Sequence, residues 1–169
     1  MTRGSAQYTW LESDLASVNR TLTPWLVIEM HRPMYVTEVV YDNETKSWQG
    51  PIVAEGMQDE IEDLLYTYQV DVVLSGHYHS YLRTCDGLYL HKCDNGGPLY
   101  FTVGTGGAPL NGNGTTILQG EHYTEHFSKE HWGVGRATVF NASSMHWEFI
   151  EVEGNVLDEV WITRDRGVN

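Results

Sequence analysis

Three histidines stand directly after two runs of apolar residues. His77 and His79, with one residue between them, follow the run VDVVLS at residues 70–75. His31 follows the run WLVIEM at residues 25–30. Residues i and i+2 of an extended backbone point to the same side, so the rings of His77 and His79 can face one metal or two adjacent metals. Imidazole suits zinc and iron, and the pattern predicts a metal site.

Two predicted strands and the helix between them position these histidines. Both apolar runs are short and contain β-branched residues, which is typical of buried strands. The segment MQDEIEDLLYTYQ, residues 57–69, has apolar residues at helical spacing. A strand–helix–strand unit places its strands parallel in one sheet, so we expect His31 and His77 at the same sheet edge. Gly76 is expected to allow a tight turn where the second strand ends.

The same histidines have a second interpretation, as polar side chains at the start of surface loops. An H-x-H pair on its own favours that interpretation. A strand ending in Gly-His-x-His, after an earlier strand ending in histidine, is much rarer and favours the metal site. His122 and His126 also fit the zinc-peptidase pattern H-x-x-E-H, but that chemistry needs a helix and the flanking residues predict none.

The remaining segments predict a single α/β domain whose later strands are mostly antiparallel. Residues 5–19 have apolar residues at helical spacing, with Ser5 as the N-cap. Residues 32–56 have no steady period and predict a long connection. Later strands are expected in PLYFTVGTGG (98–107), in GRATVFNASSMHWEFIE (135–151), which has the pattern of a hairpin, and in VLDEVWITR (156–164).

Composition and charge exclude several functions. The chain has 23 acidic and 10 basic side chains, for a formal net charge of −13. Nucleic-acid-binding proteins usually have the opposite balance, so no DNA or RNA partner is expected. An anionic substrate would need a local cation to offset this field. No apolar run reaches the ~18 residues of a membrane span, and residues 1–5 show no signal-peptide core.

Asparagines and cysteines bear on the cellular compartment. Four of the eight asparagines lie in Asn-x-Ser/Thr sequons, which together suggest a glycosylated, secretory protein. These are Asn19, Asn43, Asn113 and Asn141. In the secretory compartment Cys85 and Cys93 are expected to close a small surface loop as a disulfide, whereas inside a cell they would be two free thiols.

The blocks WLVIEMHRPMY (25–35) and VDVVLSGHYHSYLRT (70–84) resemble the two C-terminal metal-binding blocks of purple acid phosphatases, within the calcineurin-like metallophosphoesterases. The resemblance continues through PLYFTVGTGG and VLDEVWITR and covers nearly the whole chain. It implies an α/β fold: half of a four-layer αββα sandwich, with a mixed sheet and antiparallel C-terminal strands. Residues 1–169 would be the C-terminal part of the catalytic domain.

The resemblance also implies a dinuclear metal centre at the carboxyl ends of the strands. His31 and His77 would bind a divalent metal (zinc, manganese or Fe(II)), and His79 would bind Fe(III). Two such metals clamp a phosphate ester and generate the hydroxide that attacks phosphorus. They would also supply the positive charge that this acidic chain lacks.

Several family features have no counterpart in this sequence. The N-terminal blocks that supply two aspartates, a tyrosine, an asparagine and a further histidine are absent, so the expected centre is incomplete. Leu82 stands where a glutamate is common, and Thr105 where an acidic residue is common, although neither position is a ligand. Residues 32–56 contain no histidine, so no general acid is assigned.

The favoured function is that of a metal-dependent acid phosphatase acting on phosphate monoesters, present as a C-terminal fragment that is inactive alone. Its expected partners are a small phosphate-ester substrate and the missing N-terminal half of the domain. Its expected location is extracellular or vacuolar-lysosomal. Two alternatives stay open: a non-catalytic binding or structural module derived from the fold, and a manganese-type phosphodiesterase of the same superfamily.

Overall fold

The structure, a computed structural model, describes residues 1–42, 47–49, 52–110, 115–117 and 122–164. Its helices are α1 (Ala6–Ser17) and α2 (Ile52–Thr67). Its strands are β1 (Val27–Met30), β2 (Glu38–Asp42), β3 (Ser47–Gln49), β4 (Val72–Ser75), β5 (Tyr81–Thr84), β6 (Leu99–Val103), β7 (Thr115–Ile117), β8 (Thr124–Ser128), β9 (Gly133–Asn141), β10 (Ser144–Glu151) and β11 (Val156–Thr163). Among these helices, none is long and apolar enough to cross a membrane.

The strands form one five-stranded sheet and two three-stranded sheets. The five-stranded sheet has the order β1–β4–β6–β5–β8, in which β1, β4 and β6 are parallel and β5 is antiparallel to both of its neighbours. The sheets β11–β10–β9 and β3–β2–β7 are antiparallel throughout. The predicted parallel pairing of β1 with β4 is confirmed, so the residues that follow them emerge at one sheet edge.

Two apolar clusters arrange the two helices, the five-stranded sheet and the β11–β10–β9 sheet in three layers. The first joins α1 and α2 to one face of the five-stranded sheet and includes Leu65 and Val73. The second joins the opposite face to the β11–β10–β9 sheet and includes Val72, Phe101 and Trp147. Val72 and Val73 belong to different clusters because successive strand residues point to opposite faces. The predicted mixed α/β architecture, with antiparallel C-terminal strands, is confirmed.

Local sequence signals set α1 and the final hairpin as predicted. Ser5 caps α1, since the Tyr8 N–H donates to Ser5 Oγ at 3.2 Å. Strands β9 and β10 pair around a turn between Asn141 and Ser144, and the inner face of β10 is buried. Trp147 on that face lies over Gly135, where a Cβ would stand 2.2 Å from the indole. A glycine is therefore required at position 135, where the indole of Trp147 covers the strand.

Three expectations about the strands are wrong or incomplete. β1 is not buried: Val27 is 40% exposed, because β1 is an edge strand with one neighbour among the described residues. Residues 32–56 are not irregular, since β2, β3 and the start of α2 lie within them. Strands β5 and β8 were not predicted, because both are short and rich in polar residues.

Candidate metal centre

The turn that follows β4 is formed by His77 rather than by Gly76. His77 has φ 66°, in the left-handed region that non-glycine residues seldom occupy. The Tyr78 N–H donates to the Gly76 carbonyl at 2.8 Å. The expectation of an extended backbone through His77 is wrong, and separate contacts orient the rings of His77 and His79.

His31 and His77 meet at the sheet edge. His77 Nδ1 lies 3.1 Å from His31 Nε2, and the two rings are edge to face with centroids 5.0 Å apart. The Gly76 N–H donates to the His31 carbonyl at 3.1 Å and ties the two strand ends together. Two nitrogens at ~2.0–2.1 Å from one tetrahedral zinc stand roughly 3.3 Å apart. The pair is thus close to the separation of two ligands on one metal.

His79 is oriented by a different partner. Its Nδ1 lies 2.7 Å from the Pro109 carbonyl oxygen, so Nδ1 carries a hydrogen and donates it. In the neutral ring, Nε2 then keeps its lone pair, and metal-binding histidines commonly donate their other ring N–H in this way. Trp132 Nε1 donates to the neighbouring Ala108 carbonyl at 2.9 Å and anchors the segment. Nothing in the sequence pattern singled out Pro109 or Trp132 for this role.

Gly104, just after β6, lets the histidine loop pack closely on the sheet. Its N–H donates to the Ser80 carbonyl at 3.1 Å. A Cβ at this position would stand 1.8 Å from the Tyr78 carbonyl oxygen and 3.2 Å from the Cα of His79. A glycine is therefore required here, because two backbones approach each other closely.

The environment of His77 favours the form of imidazole that binds metal. Partial burial lowers the pKa of His77, and the charges of Arg32, His31 and His79 lower it further. A lower pKa keeps the ring neutral, and metals bind neutral imidazole. His31 is exposed and the other two histidines are half-buried, so the edge is open to solvent.

The three imidazoles fit a metal by chemistry, but they do not form a closed site. Within the ranges that the structure describes, no group of three or more His, Cys, Asp or Glu side chains is placed to hold an ion. His31 Nε2 and His77 Nδ1 lie 3.1 Å apart, whereas His79 is oriented by the Pro109 carbonyl. We call these three residues the histidine edge.

A cleft of about 430 Å³ opens beside the histidine edge, between the five-stranded sheet and the β11–β10–β9 sheet. It is lined by Glu29, Met30, Leu74, Ser75, Gly76, Val103, Gly135, Ala137 and Trp147. Met30 directly precedes His31 and Gly76 directly precedes His77. The cleft therefore reaches from the open edge of β1 to the histidine loop.

The other predicted residues lie away from this edge. Cys85 and Cys93 are joined by a disulfide with Cα atoms 5.7 Å apart. Asn19 and Asn141 are exposed, while Asn43 and Asn113 lie outside the described residues. His126 of the H-x-x-E-H match lies in β8, with its Nδ1 3.4 Å from an Asp158 oxygen. The pattern therefore lacks the helix it would need.

Comparison with known proteins identifies the family. The family model "Calcineurin-like phosphoesterase" matches residues 1–81, and "Iron/zinc purple acid phosphatase-like protein C" matches residues 97–159. The chain is 34% identical over 161 residues to Purple acid phosphatase 22 of Arabidopsis thaliana, covering 94% of this chain and 35% of that protein. It is 35% identical over 163 residues to Probable purple acid phosphatase 20 of the same plant, covering 95% and 36%.

A solved structure agrees with this. The purple acid phosphatase PPD1 of yellow lupin (Lupinus luteus) seeds superposes with a TM-score of 0.78 at 28% identity, over 98% of this chain and 29% of that chain. The fold is that of a calcineurin-like metallophosphoesterase. Within that class, the chain belongs to the purple acid phosphatase family. It spans about a third of the length of the curated relatives it matches.

Proposed function

We propose that this chain is the C-terminal part of the catalytic domain of an acid phosphatase that hydrolyses phosphate monoesters at a dinuclear metal centre. The observation that carries the proposal is the His31–His77 pair, 3.1 Å apart where parallel strands β1 and β4 end. Ligands of open α/β sheets bind outside the carboxyl ends of the strands. Purple acid phosphatase relatives over nearly the whole chain support the same function.

In this proposal the histidine edge supplies three of the metal ligands. His31 and His77 would hold a divalent metal (zinc, manganese or Fe(II)), and His79 would hold Fe(III). When bound, such a pair polarises the phosphoryl group and lowers the pKa of a bound water. The chain's own part is to present neutral imidazoles in fixed directions, with His79 held by the Pro109 carbonyl at 2.7 Å.

The rest of the domain would complete the centre. Three neutral imidazoles divided between two metals cannot hold them tightly, because carboxylate ligands are missing. The exposed edge of β1 and the cleft of about 430 Å³ beside it offer the place where further strands would add ligands. We therefore expect the 169-residue chain to be inactive on its own.

Passage through an oxidising, secretory compartment is part of the proposal. The Cys85–Cys93 disulfide and the exposed sequons at Asn19 and Asn141 support it. Destinations outside the cell and in a vacuole or lysosome both agree with these features. Treating protein from the native source with an N-glycosidase should lower its mass, and an unchanged mass would count against this route.

The test compares this chain with the longer protein that contains it. Hydrolysis of p-nitrophenyl phosphate is measured with iron, zinc or manganese, for the wild type, His77→Ala and the control His131→Ala. His131 is 41% exposed and contacts Ser128 and Glu151 rather than any of the three histidines. We expect turnover by the longer protein to fall by more than ~100-fold in His77→Ala. Loss of a metal ligand should reduce activity more than loss of a residue that only hydrogen-bonds to a ligand.

The outcomes separate the possibilities. Turnover by the 169-residue chain that His77→Ala abolishes would overturn the claim that the chain is inactive alone. A longer protein that binds zinc equally well with and without His77 would favour a non-catalytic module. A His131→Ala variant that loses as much activity as His77→Ala would show that the assay reports folding rather than the site.

A further inference from the structure

Arg32 is unusual among the arginines of the described residues, because it has neither a carboxylate partner nor a hydrogen bond there. The other five each contact a carboxylate at 2.7–2.9 Å: Arg3 with Asp63, Arg20 with Asp71, Arg83 with Asp158, Arg136 with Glu148, and Arg164 with Asp86. The chain has 23 acidic side chains against 10 basic ones. In such a chain this guanidinium leaves a local positive charge that no carboxylate of the described residues pairs with.

The backbone holds Arg32 in place on both sides. The residue before it, His31, accepts a hydrogen bond from the Gly76 N–H at 3.1 Å. The residues after it are buried, and Gln58 Nε2 donates to the Met34 carbonyl at 2.6 Å. Only the side chain of Arg32 is exposed in this stretch from 32 to 35. A fixed backbone with an exposed guanidinium suits contact with a ligand.

Arg32 stands at the histidine edge. It directly follows His31, whose Nε2 lies 3.1 Å from His77 Nδ1. Because the Arg32 side chain is long and exposed, its guanidinium can reach an anion bound at the same edge.

We infer that Arg32 binds a non-bridging oxygen of the substrate phosphate and makes the site prefer monoesters to diesters; this rests on the proposed function. A monoester has three non-bridging oxygens and carries up to two negative charges, whereas a diester has two and carries one. A further cation beside the metal ligands therefore attracts a monoester more strongly than a diester. Guanidinium presents paired N–H donors that match phosphate oxygens, and a lysine lacks this fork.

Kinetics of the longer, metal-loaded protein test the preference. The variants are Arg32→Gln, Arg32→Lys and the control Arg3→Gln, an exposed arginine whose partner is Asp63. For p-nitrophenyl phosphate, kcat/KM should fall roughly 10- to 100-fold in Arg32→Gln. For bis(p-nitrophenyl) phosphate the fall should be clearly smaller, Arg32→Lys should lie between, and Arg3→Gln should match wild type. Equal losses for both esters, or none, would overturn the inference.

A chemical readout does not depend on turnover. Phenylglyoxal modification of each arginine is followed by peptide mass spectrometry, with and without inorganic phosphate. Arg32 should react readily and be protected by phosphate, while Arg3 should not be protected. Protection of Arg32 without any turnover would mean that the proposed function fails and the anion site stands. Turnover with an unprotected Arg32 would overturn the inference and leave the proposed function intact, and absence of both would overturn both.

Discussion

Two regions of the molecule place polar side chains in different ways. The first is the histidine edge. The second, which we call the seam, lies between the five-stranded sheet and the β11–β10–β9 sheet. It is formed by Tyr81, Arg83, Trp147 and Asp158. In the seam, Arg83 donates to Asp158 at 2.7 and 2.9 Å, Tyr81 Oη donates to the same carboxylate at 2.7 Å, and Trp147 Nε1 donates to Tyr81 Oη at 3.0 Å.

The two regions differ in whether their polar side chains are held by one another or by backbone groups. In the seam, side chains satisfy one another in the interior, so the network holds the sheets together and presents nothing to a ligand. At the edge, backbone groups do the positioning: the left-handed turn at His77, the bare Cα of Gly104 and the carbonyl of Pro109. The imidazoles are thus held at a surface that is open to solvent rather than inside a closed network of side chains.

Breaking the seam should have the largest effect on stability. Asp158→Asn deprives the Arg83 guanidinium, 14% exposed, of the carboxylate with which it pairs. We expect the free energy of unfolding to fall by about 3–5 kcal/mol, the usual cost of removing one partner of a buried ion pair. Urea unfolding followed by tryptophan fluorescence measures it.

The matched control is Asp63→Asn, which removes an aspartate from an exposed pair with Arg3, where the side chains are 55% and 54% exposed. Exposed pairs contribute little because solvent screens them. A loss in Asp63→Asn as large as in Asp158→Asn would remove the distinction between the seam and an ordinary surface pair.

At the edge, Gly104→Ala should disturb the site more than the fold. The new methyl group would overlap the Tyr78 carbonyl, so the histidine loop must move away. We expect a loss of about 1–3 kcal/mol of stability from overpacking, together with loss of zinc binding in calorimetric titration of the longer protein. The nearby Gly106→Ala serves as control, since a Cβ there meets no atom within 4 Å. Normal zinc binding by Gly104→Ala would show that the loop position does not matter.

The pH dependence of stability should sharpen the contrast between buried carboxyl groups. Burial alone would raise the pKa of Asp158, but hydrogen bonds from Arg83 and Tyr81 outweigh it and the pKa lies below the usual 3.8. Burial raises the pKa of Glu62 above 4.5, and the bonds from Tyr35 and the Leu90 N–H offset this only in part.

The contributions of Asp158 and Glu62 to stability change with pH in opposite directions. The stabilising contribution of Asp158 is present above pH 3.8 and is lost as the pH falls through its lowered folded value. That of Glu62 is present below pH 4.5 and is lost as the pH rises through its raised folded value. The free energies of unfolding of wild type and Asp158→Asn should therefore converge in strong acid. In Glu62→Gln, the free energy of unfolding should decrease less with rising pH above 4.5 than it does in wild type. Parallel curves for all three proteins would refute the assignment.

The smallest expected effect concerns the strained turn. His77→Gly should be more stable than His77→Ala by about 1 kcal/mol, because glycine adopts a left-handed φ without the Cβ penalty. Both variants should lose zinc binding in the longer protein. Thermal unfolding of the pair measures the difference, and equal stabilities would mean that the φ of 66° at His77 stores no strain.

Patterns of apolar residues predicted much of the fold. The parallel pairing of β1 and β4, the helix at α1 and the hairpin of β9 and β10 follow from period and turn residues, which act locally. The exposure of β1 was not predictable, since a continuous apolar run does not show whether a strand has one neighbour or two.

The site was predictable by residue type more than by geometry. The order of strand ends brought His31 and His77 together, as expected from parallel strands. The left-handed φ of His77 and the hydrogen bond of His79 to Pro109 were not foreseen. Both depend on how Gly104 and the Pro109 segment pack against the loop, and tertiary contacts of this kind leave no periodic signal in the sequence.

The open side of β1 has a practical consequence for anyone who makes this chain. Val27–Met30 presents main-chain amides and carbonyls on a side where no described strand pairs with them, next to a mostly apolar cleft. An unpaired edge strand of this kind can pair with the edge strand of another copy. Concentrated preparations of the isolated chain should therefore self-associate and precipitate. A lysine placed at exposed Val27 is the direct remedy.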